Sequence, residues 1–324
     1  MKIHLHLLQL ITAVVLGLGG AGGAFAQAYP SKPIRMLVPF PPGGPADILG
    51  RVIARKMSED FGQRVIIDNR PGANTIIAAE LAARAPADGY TLLMAIDSTL
   101  SMNPALYTKL PYDPLKDFDP VSLIAIVPTM LIAHPSVPAN NVQELIALAK
   151  SKPGQIMYGS GTFATQLAAE LFNSMAGIRM PFVPYKGASL SIIAVISGEV
   201  PVSFNGISTA LEAWRAGKVK AIAIMGAKRL PQAPDIPTVA ESGLPGYEAQ
   251  VWQSVVVPAG TPREVIAKLN AELTRIMRLP ETQERLSASG LVPMSSTPEE
   301  LGAYIRSETA KWGKIIKDLG LKVE

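Results

Sequence analysis

Residues 34–61 read IRMLVPFPPGGPADILGRVIARKMSEDF, and this stretch decides the fold class. Ile34 to Val38 is an apolar run of strand length. Pro41, Pro42, Gly43 and Gly44 break it. Ile48, Leu49, Val52, Ile53, Met57 and Phe61 then recur at helical spacing. A strand turning directly into a helix is the first half of a βαβ unit. Repeated along a chain, it predicts an α/β protein with parallel sheets covered by helices.

The alternation continues outward from this stretch. Val65 to Ile67 and Tyr90 to Ile96 read as strands, with a helical segment from Ile76 to Ala85 between them. The pattern then restarts. Strands are expected at Met130 to Ala133, Met157–Tyr158, Pro201 to Phe204 and Lys220 to Met225. Helices are expected at Val142 to Lys150, Ala164 to Ala176, Ser189 to Ile196 and Ala210 to Ala216. Two further β-rich stretches, Val121 to Val127 and Val251 to Val257, join the halves. Helices close the chain at 263–277, 281–289 and 298–319. Thr297, Pro298 and Glu300 give the last one a capped start. A chain that leaves one α/β domain, builds a second and returns crosses twice, which is the connectivity of a hinged, two-lobed binder. The predicted division is a leader at 1–26, a first lobe of 27–126 plus 252–324, and a second lobe of 127–251.

The leader rests on residue order. A basic start at Lys2 is followed by an apolar stretch densest from Leu10 to Leu18, then by Ala24-Phe25-Ala26. That is the order of a secretory signal peptide, with cleavage before Gln27. Five glycines between Gly17 and Gly23 weaken the alternative of a membrane anchor. The chain has no cysteine, so disulfides, thiolate metal sites and a lipid-bearing cysteine are all excluded. The expected location is therefore the periplasm, without a lipid anchor.

Of three histidines, His4 and His6 leave with the leader and only His134 stays. One histidine cannot build a multi-histidine zinc site, and it is the sole partner for a serine nucleophile. No metal and no cofactor is expected. Thirty basic against 26 acidic residues, net +4, do not form a nucleic-acid footprint.

Candidate ligand-binding segments lie at strand ends, where α/β sheets gather ligands. The first is Phe40, Pro41, Pro42, Gly43, Gly44, Pro45, Ala46 and Asp47. Its glycines permit close backbone approach, and the helix start offers free N–H groups to an anion. A plain tight turn capped by Asp47 accounts for the same residues. The second is Ser160, Gly161, Thr162, Phe163 and Thr165, with hydroxyls before a helix. Helix capping by Thr162 explains it equally well. A nucleophilic role for Ser160 lacks both a GxSxG context and a base. Asp97 and Ser98 follow the third strand, where Asp97 also suits a turn cap. Tyr185 and Lys186 end another strand, and Asn205 ends PVSFNG. The tryptophans read as core, with Trp252 placed near a crossing segment.

Several stretches stand in order along the chain: YPSKPIRMLVPFPPGGPAD (29–47), DNRPGA (68–73), PADGYTLLM (86–94) and NPALYTKLPYDPLKDFDPVSL (103–123). They continue with VPYKGAS (183–189), RAGKVKAIAIMGAKR (215–229), APDIPTVAESGLPGYEA (233–249) and VPAGTPREVIAKLN (257–270). The ordered set resembles the Bug family of periplasmic solute receptors, which serve tripartite tricarboxylate-type transporters. The resemblance implies a type II periplasmic-binding-protein fold with a small dicarboxylate or aromatic carboxylate held between the lobes. It implies a monomer that docks on membrane permease subunits, or a sensor feeding a membrane signalling protein. It also implies that the loops at 40–47 and 160–165, and Asn205, contact the ligand. Three positions depart from the family pattern. Ala46 stands where serine or threonine is common. The loop from Ser160 is shorter than usual, with Gln166 where histidine is frequent. Asn205 replaces a common aspartate, which argues against a ligand amine.

Overall fold

The computed structural model describes residues 29–322, so the predicted leader at 1–26 lies outside the described residues. The chain opens with β1 (Ile34–Val38), α1 (Pro45–Phe61), β2 (Val65–Asn69), α2 (Ile76–Ala83) and β3 (Thr91–Ile96). A π-helical turn at Ser98–Met102 leads into α3 (Asn103–Leu106) and β4 (Phe118–Val127). Next come β5 (Thr129–Ala133), α4 (Val142–Ser151), β6 (Tyr158–Ser160), α5 (Phe163–Ala176) and β7 (Phe182–Pro184). Then follow α6 (Ala188–Ile196), β8 (Val202–Gly206), α7 (Ile207–Arg215) and β9 (Lys220–Ile224). The chain closes with β10 (Val251–Pro258), α8 (Arg263–Arg278), α9 (Pro280–Ala288), β11 (Val292–Pro293) and α10 (Pro298–Asp318).

Among the described residues these strands form two sheets. One has the order β11-β4-β10-β3-β1-β2, the other β7-β6-β8-β5-β9. The expectation of parallel sheets holds only in part. The β1, β2 and β3 strands pair in parallel, as do β6, β7 and β8. The β10 strand, however, is antiparallel to β3 and β4, and β5 is antiparallel to β8 and β9. Parallel neighbours need a crossover helix between them. The β4 strand carries the chain out of the first sheet and β10 brings it back beside β4, so these two run in opposite directions.

Only Pro128 separates β4 from β5. Proline has no N–H and disfavours helix in the preceding residue, so the chain stays extended as it passes from one sheet to the other. The two crossings are stitched together. The Thr129 hydroxyl donates to the Ala249 carbonyl at 3.1 Å. Ala249 N donates to Met225 O, and Met225 N donates to Thr129 O.

The helix α10 starts with a capping box in which Thr297 and Glu300 satisfy each other's backbone N–H. Its first half packs on the first sheet, where Leu301 and Ile305 join Leu37, Leu93 and Trp252 in one cluster. Its second half reaches elsewhere. Trp312 and Ile316 belong to the cluster of Leu131, Phe172, Phe204 and Tyr247 around the second sheet.

One wall of the first sheet's end carries strain. Ala73, Asn74 and Thr75 have φ of 45°, 48° and 75°. Left-handed backbone at residues other than glycine costs about 1–3 kcal/mol each unless the surroundings hold it. Here a buried polar network does so. Asn74 Nδ2 donates to Asn103 Oδ1 at 2.7 Å, and Asn103 Nδ2 donates back to Asn74 O and to the Tyr112 hydroxyl. Thr99 Oγ1 donates to Thr75 Oγ1 at 2.8 Å, and Tyr112 Oη donates to Thr99 O. Asn103→Ala strips this network and is expected to lower stability by about 2 kcal/mol, the cost of leaving buried polar groups unpaired. Urea unfolding reads the loss, and a near-neutral result contradicts the bracing role.

Candidate functional site

In open α/β sheets the ligand crevice lies beyond the carboxyl ends of the strands, where strand order reverses. The first sheet reverses between β1 and β3, the second between β6 and β8. The first point places Phe40 to Asp47 after β1, with Asp97 and Ser98 after β3. The second places Ser160 to Thr165 after β6, with Asn205 near the end of β8. The topology therefore gathers most of the sequence-predicted segments at two switch points.

The first loop is organised by Asp47. Its Oδ2 accepts from Gly43 N at 2.9 Å and from Arg51 Nε at 2.8 Å, while Oδ1 accepts from Asn69 Nδ2 at 3.0 Å. Gly43 has φ 90°, a conformation suited to glycine. Asn69 also donates to Phe40 O at 2.9 Å, so both ends of the loop are pinned. Burial disfavours the charge on Asp47. Arg51, Gly43 N–H and Asn69 together outweigh it and hold the carboxyl below its usual range. The expected cap is not formed: Gly44 is the N-cap of α1, without a side-chain hydrogen bond. Asp47 instead braces the loop, which leaves the uncapped start of α1, Pro45 and Ala46, at the end of β1.

The second loop satisfies itself. The Ser160 hydroxyl donates to Thr162 O at 2.9 Å and lies 2.5 Å from Thr165 Oγ1. Thr162 Oγ1 lies 2.8 Å from Thr165 Oγ1 and caps α5 by accepting from Thr165 N. Phe163 packs on the core of the second sheet. Gly161 has a packing requirement, because a Cβ there would overlap the carbonyl of Gly187 and the nitrogen of Ala188. That close approach joins this loop to the one holding Tyr185 and Lys186. Tyr185 Oη donates to Glu199 at 2.8 Å, and Lys186 is exposed. Asn205, buried at 1 % exposure, donates to Ser203 at 2.6 Å and reaches Ser191 at 3.4 Å. His134 follows β5, whose last residue, Ala133, pairs with the first residue of β8. Its Nδ1 lies 2.7 Å from the Ser136 hydroxyl in its own turn. Ser160 stands at the opposite end of the second sheet from His134.

A tightly packed crevice, without room for a water molecule, runs between the sheets. It is lined by Asp97, Met102, Thr129, Ala164, Thr165, Ala168, Ala249, Gln250, Val251 and Trp312. Of the sequence-predicted site residues, it brings together Asp97 and Thr165; the others named above do not line it. Sequence reasoning missed Met102, Gln250 and Trp312. Trp252 is core, as read from the sequence, packed 5.3 Å from the Tyr304 ring, while Trp312 lines the crevice. The Trp312 indole is held by Glu308, whose Oε2 accepts from Nε1 at 3.0 Å. Spacing alone did not mark that residue, because its helix reads as an ordinary amphipathic one.

Asp97 is the electrostatic outlier. At 1 % exposure its Oδ1 accepts from Ser98 N at 2.7 Å, and its Oδ2 has no partner. Burial pushes the carboxyl up to about 8; the Ser98 N–H works against this, Glu308 adds to it and Lys311 opposes it. Among the described residues no cluster of histidine, cysteine, aspartate or glutamate is placed to hold a metal ion. No helix among them is long and apolar enough to cross a membrane.

Two α/β sheets with a switch point on each define a periplasmic-binding-protein type of fold. The Rhodopseudomonas palustris protein Rpa4515, solved with adipate, matches at a TM-score of 0.84 and 34% identity, covering 91% of this chain and 100% of that one. MatC of Rhodopseudomonas palustris, solved with bound malate, matches at 0.80 and 31% identity, covering 89% and 100%. BugT of Bordetella pertussis is 33% identical over 322 residues, 98% of this chain and 99% of that protein. The model of the tripartite tricarboxylate transporter family receptor matches residues 49–321, and the chain belongs to that family of solute-binding receptors.

Two outcomes follow from the site. Gly161→Ala is expected to destabilise the fold by about 1–3 kcal/mol through overpacking against the 187–188 backbone. A calorimetric melt unchanged from wild type contradicts the contact. Asp97 gives a pH signature. Between pH 4 and about 8 the unfolded chain has released this proton and the folded chain retains it, so Asp97 lowers stability progressively with rising pH. Above about 8 the loss levels off. Asp97→Asn carries no such titration, so its melting advantage over wild type grows from pH 5 to 8. A constant difference contradicts the raised value.

Proposed function

We propose that the chain is a periplasmic receptor that captures a small carboxylate between two lobes and hands it to permease subunits of a tripartite tricarboxylate-type transporter. The lobes are 27–126 with 252–324, and 127–251. The receptor is exported through its leader, carries no lipid anchor and acts as a monomer. The ligand is a dicarboxylate or an aromatic carboxylate, by analogy with the adipate and malate found in Rpa4515 and MatC.

The observation that carries this reading is the pair of switch points, one on each sheet, with the predicted loops after β1 and β6 at the carboxyl ends of their strands. A ligand held by both loops touches both lobes, and contacts available only when both reach it drive closure. The proposed walls are the loop Phe40 to Asp47, Asp97 and Ser98 on one side. On the other are Ser160 to Phe163, Thr165, Tyr185, Lys186 and Asn205. N–H groups at the start of α1 suit an anion, and excluding water strengthens their hydrogen bonds.

No covalent chemistry is needed. Ser160 gives its hydrogen to Thr162 O, and His134 is occupied at the far end of the sheet. The reading is therefore of a binder and not a hydrolase, with neither cofactor nor nucleic acid as partner. A thermal-shift screen against succinate, glutarate, adipate, malate, phthalate, terephthalate and nicotinate tests it. Stabilisation by at least one acid is expected, together with a change in Trp312 fluorescence that Trp312→Phe removes. Silence with every acid, beside a clear shift with a sugar or a metal ion, overturns it.

A further inference from the structure

The last helix, α10, is one uninterrupted run of 21 residues that packs on both sheets. Leu301 and Ile305, in its first half, belong to the cluster on the first sheet. Trp312 and Ile316, in its second half, belong to the cluster around the second sheet. Met102 and Leu106, which follow β3, join that second cluster too. Four apolar side chains borne by the predicted first lobe are thus buried among those of the second, each at 1 % exposure or less.

The surface they meet is the start of α5. Ala164 and Ala168 stand one turn apart on one face of that helix, and both line the crevice together with Met102 and Trp312. Methyl side chains let the larger groups come close, and the crevice has no room for a water molecule. The Ala168 carbonyl accepts from the Tyr247 hydroxyl at 2.9 Å, so this turn of α5 is itself anchored. The Trp312 indole is prepared for an apolar partner. Its one polar hydrogen goes to Glu308 Oε2 at 3.0 Å on its own helix, and Lys311 Nζ donates to the other oxygen of Glu308 at 3.2 Å. The ring therefore reaches the second cluster with no polar group left to satisfy.

We propose that Met102 and Trp312, seated on the Ala164–Ala168 face, form a latch that holds the two lobes together independently of ligand. This goes beyond the receptor reading above and rests on its two lobes. The contact contains only the chain's own side chains, so it acts before any ligand arrives. Turning the lobes apart draws a tryptophan and a methionine off α5, and water then covers apolar surface that the contact hides. The ligand meets lobes already biased toward the enclosing arrangement. Trp312 accordingly sets the apparent affinity through the lobe equilibrium and not through a ligand contact.

Small-angle X-ray scattering tests this on protein unfolded and refolded to strip bound solutes, with no acid added. Wild type is compared with Trp312→Leu, which shortens the latch, and with Ala168→Leu, which overfills the gap from the other lobe. Both variants are expected to show a larger radius of gyration than wild type, and adipate is expected to bring all three to one value. Calorimetric titration with adipate is expected to give binding about tenfold weaker for each variant, as when the enclosing fraction falls from most molecules to about a tenth. Thermal melts establish that each variant is folded, and Met102→Ala replaces either one that is not. Equal or smaller radii for the variants without acid overturn the latch, as does an expanded wild type that contracts only with adipate. Absence of any adipate effect on wild type counts against the carboxylate reading, while the radii without acid still decide the latch.

Discussion

The constraint on which the structure depends is the double crossing between sheets. The chain leaves the first sheet through Val127-Pro128-Thr129 and returns through Ala249-Gln250-Val251. The Thr129 hydroxyl, the Ala249 amide and the Met225 amide tie the two passages into one narrow strap. Everything else follows from its position. It sets β10 antiparallel beside β4 and directs the carboxyl ends of β3 and β6 toward the same side of the boundary between the sheets. The helix α10 spans the same boundary from outside, capped at Thr297 on the first sheet and buried at Trp312 and Ile316 against the second cluster.

Within this frame, polar groups divide by whether they are already satisfied. Asp47, Ser160, Thr162, Thr165 and Asn205 all spend side-chain hydrogen bonds on partners in their own or neighbouring segments. Their contribution is to hold backbone in place, so that the uncapped start of α1 and the tightly packed 160–162 loop keep a fixed shape. The left-handed run at 73–75 and the π-helical turn at 98–102 are likewise held by one network through Asn103 and Tyr112. Asp97 is different. It sits at the strained wall, faces the crevice and retains an unpaired oxygen.

The strand and helix pattern was legible because its signals are local. The apolar run 34–38, the Pro41 to Gly44 break and the helical spacing from Ile48 fix β1 and α1 within a few residues. Thr297 and Glu300 announced α10 in the same way. Strand direction was not legible where it depends on where the chain returns: nothing in VWQSVVVP states that β10 runs against β4. The short strand at Val292–Pro293 has too few residues to carry a period. The site was half legible. Proline, glycine and hydroxyl residues after strands marked both switch points, since turn chemistry is written in sequence. Trp312 and Met102 were invisible, because they reach the crevice through helix packing in three dimensions. Trp252 was legible as core, and although it lies near a crossing segment it is fully buried one residue into β10.

The central claim is that a small carboxylate is enclosed between the two switch points. The most direct measurement is a crystal structure of the protein with an acid selected by the screen. The account predicts carboxylate oxygens within hydrogen-bond distance of the loops after β1 and β6, with the ligand covered from both sheets. An acid bound on one sheet alone, or away from the loops after β1 and β6, contradicts it.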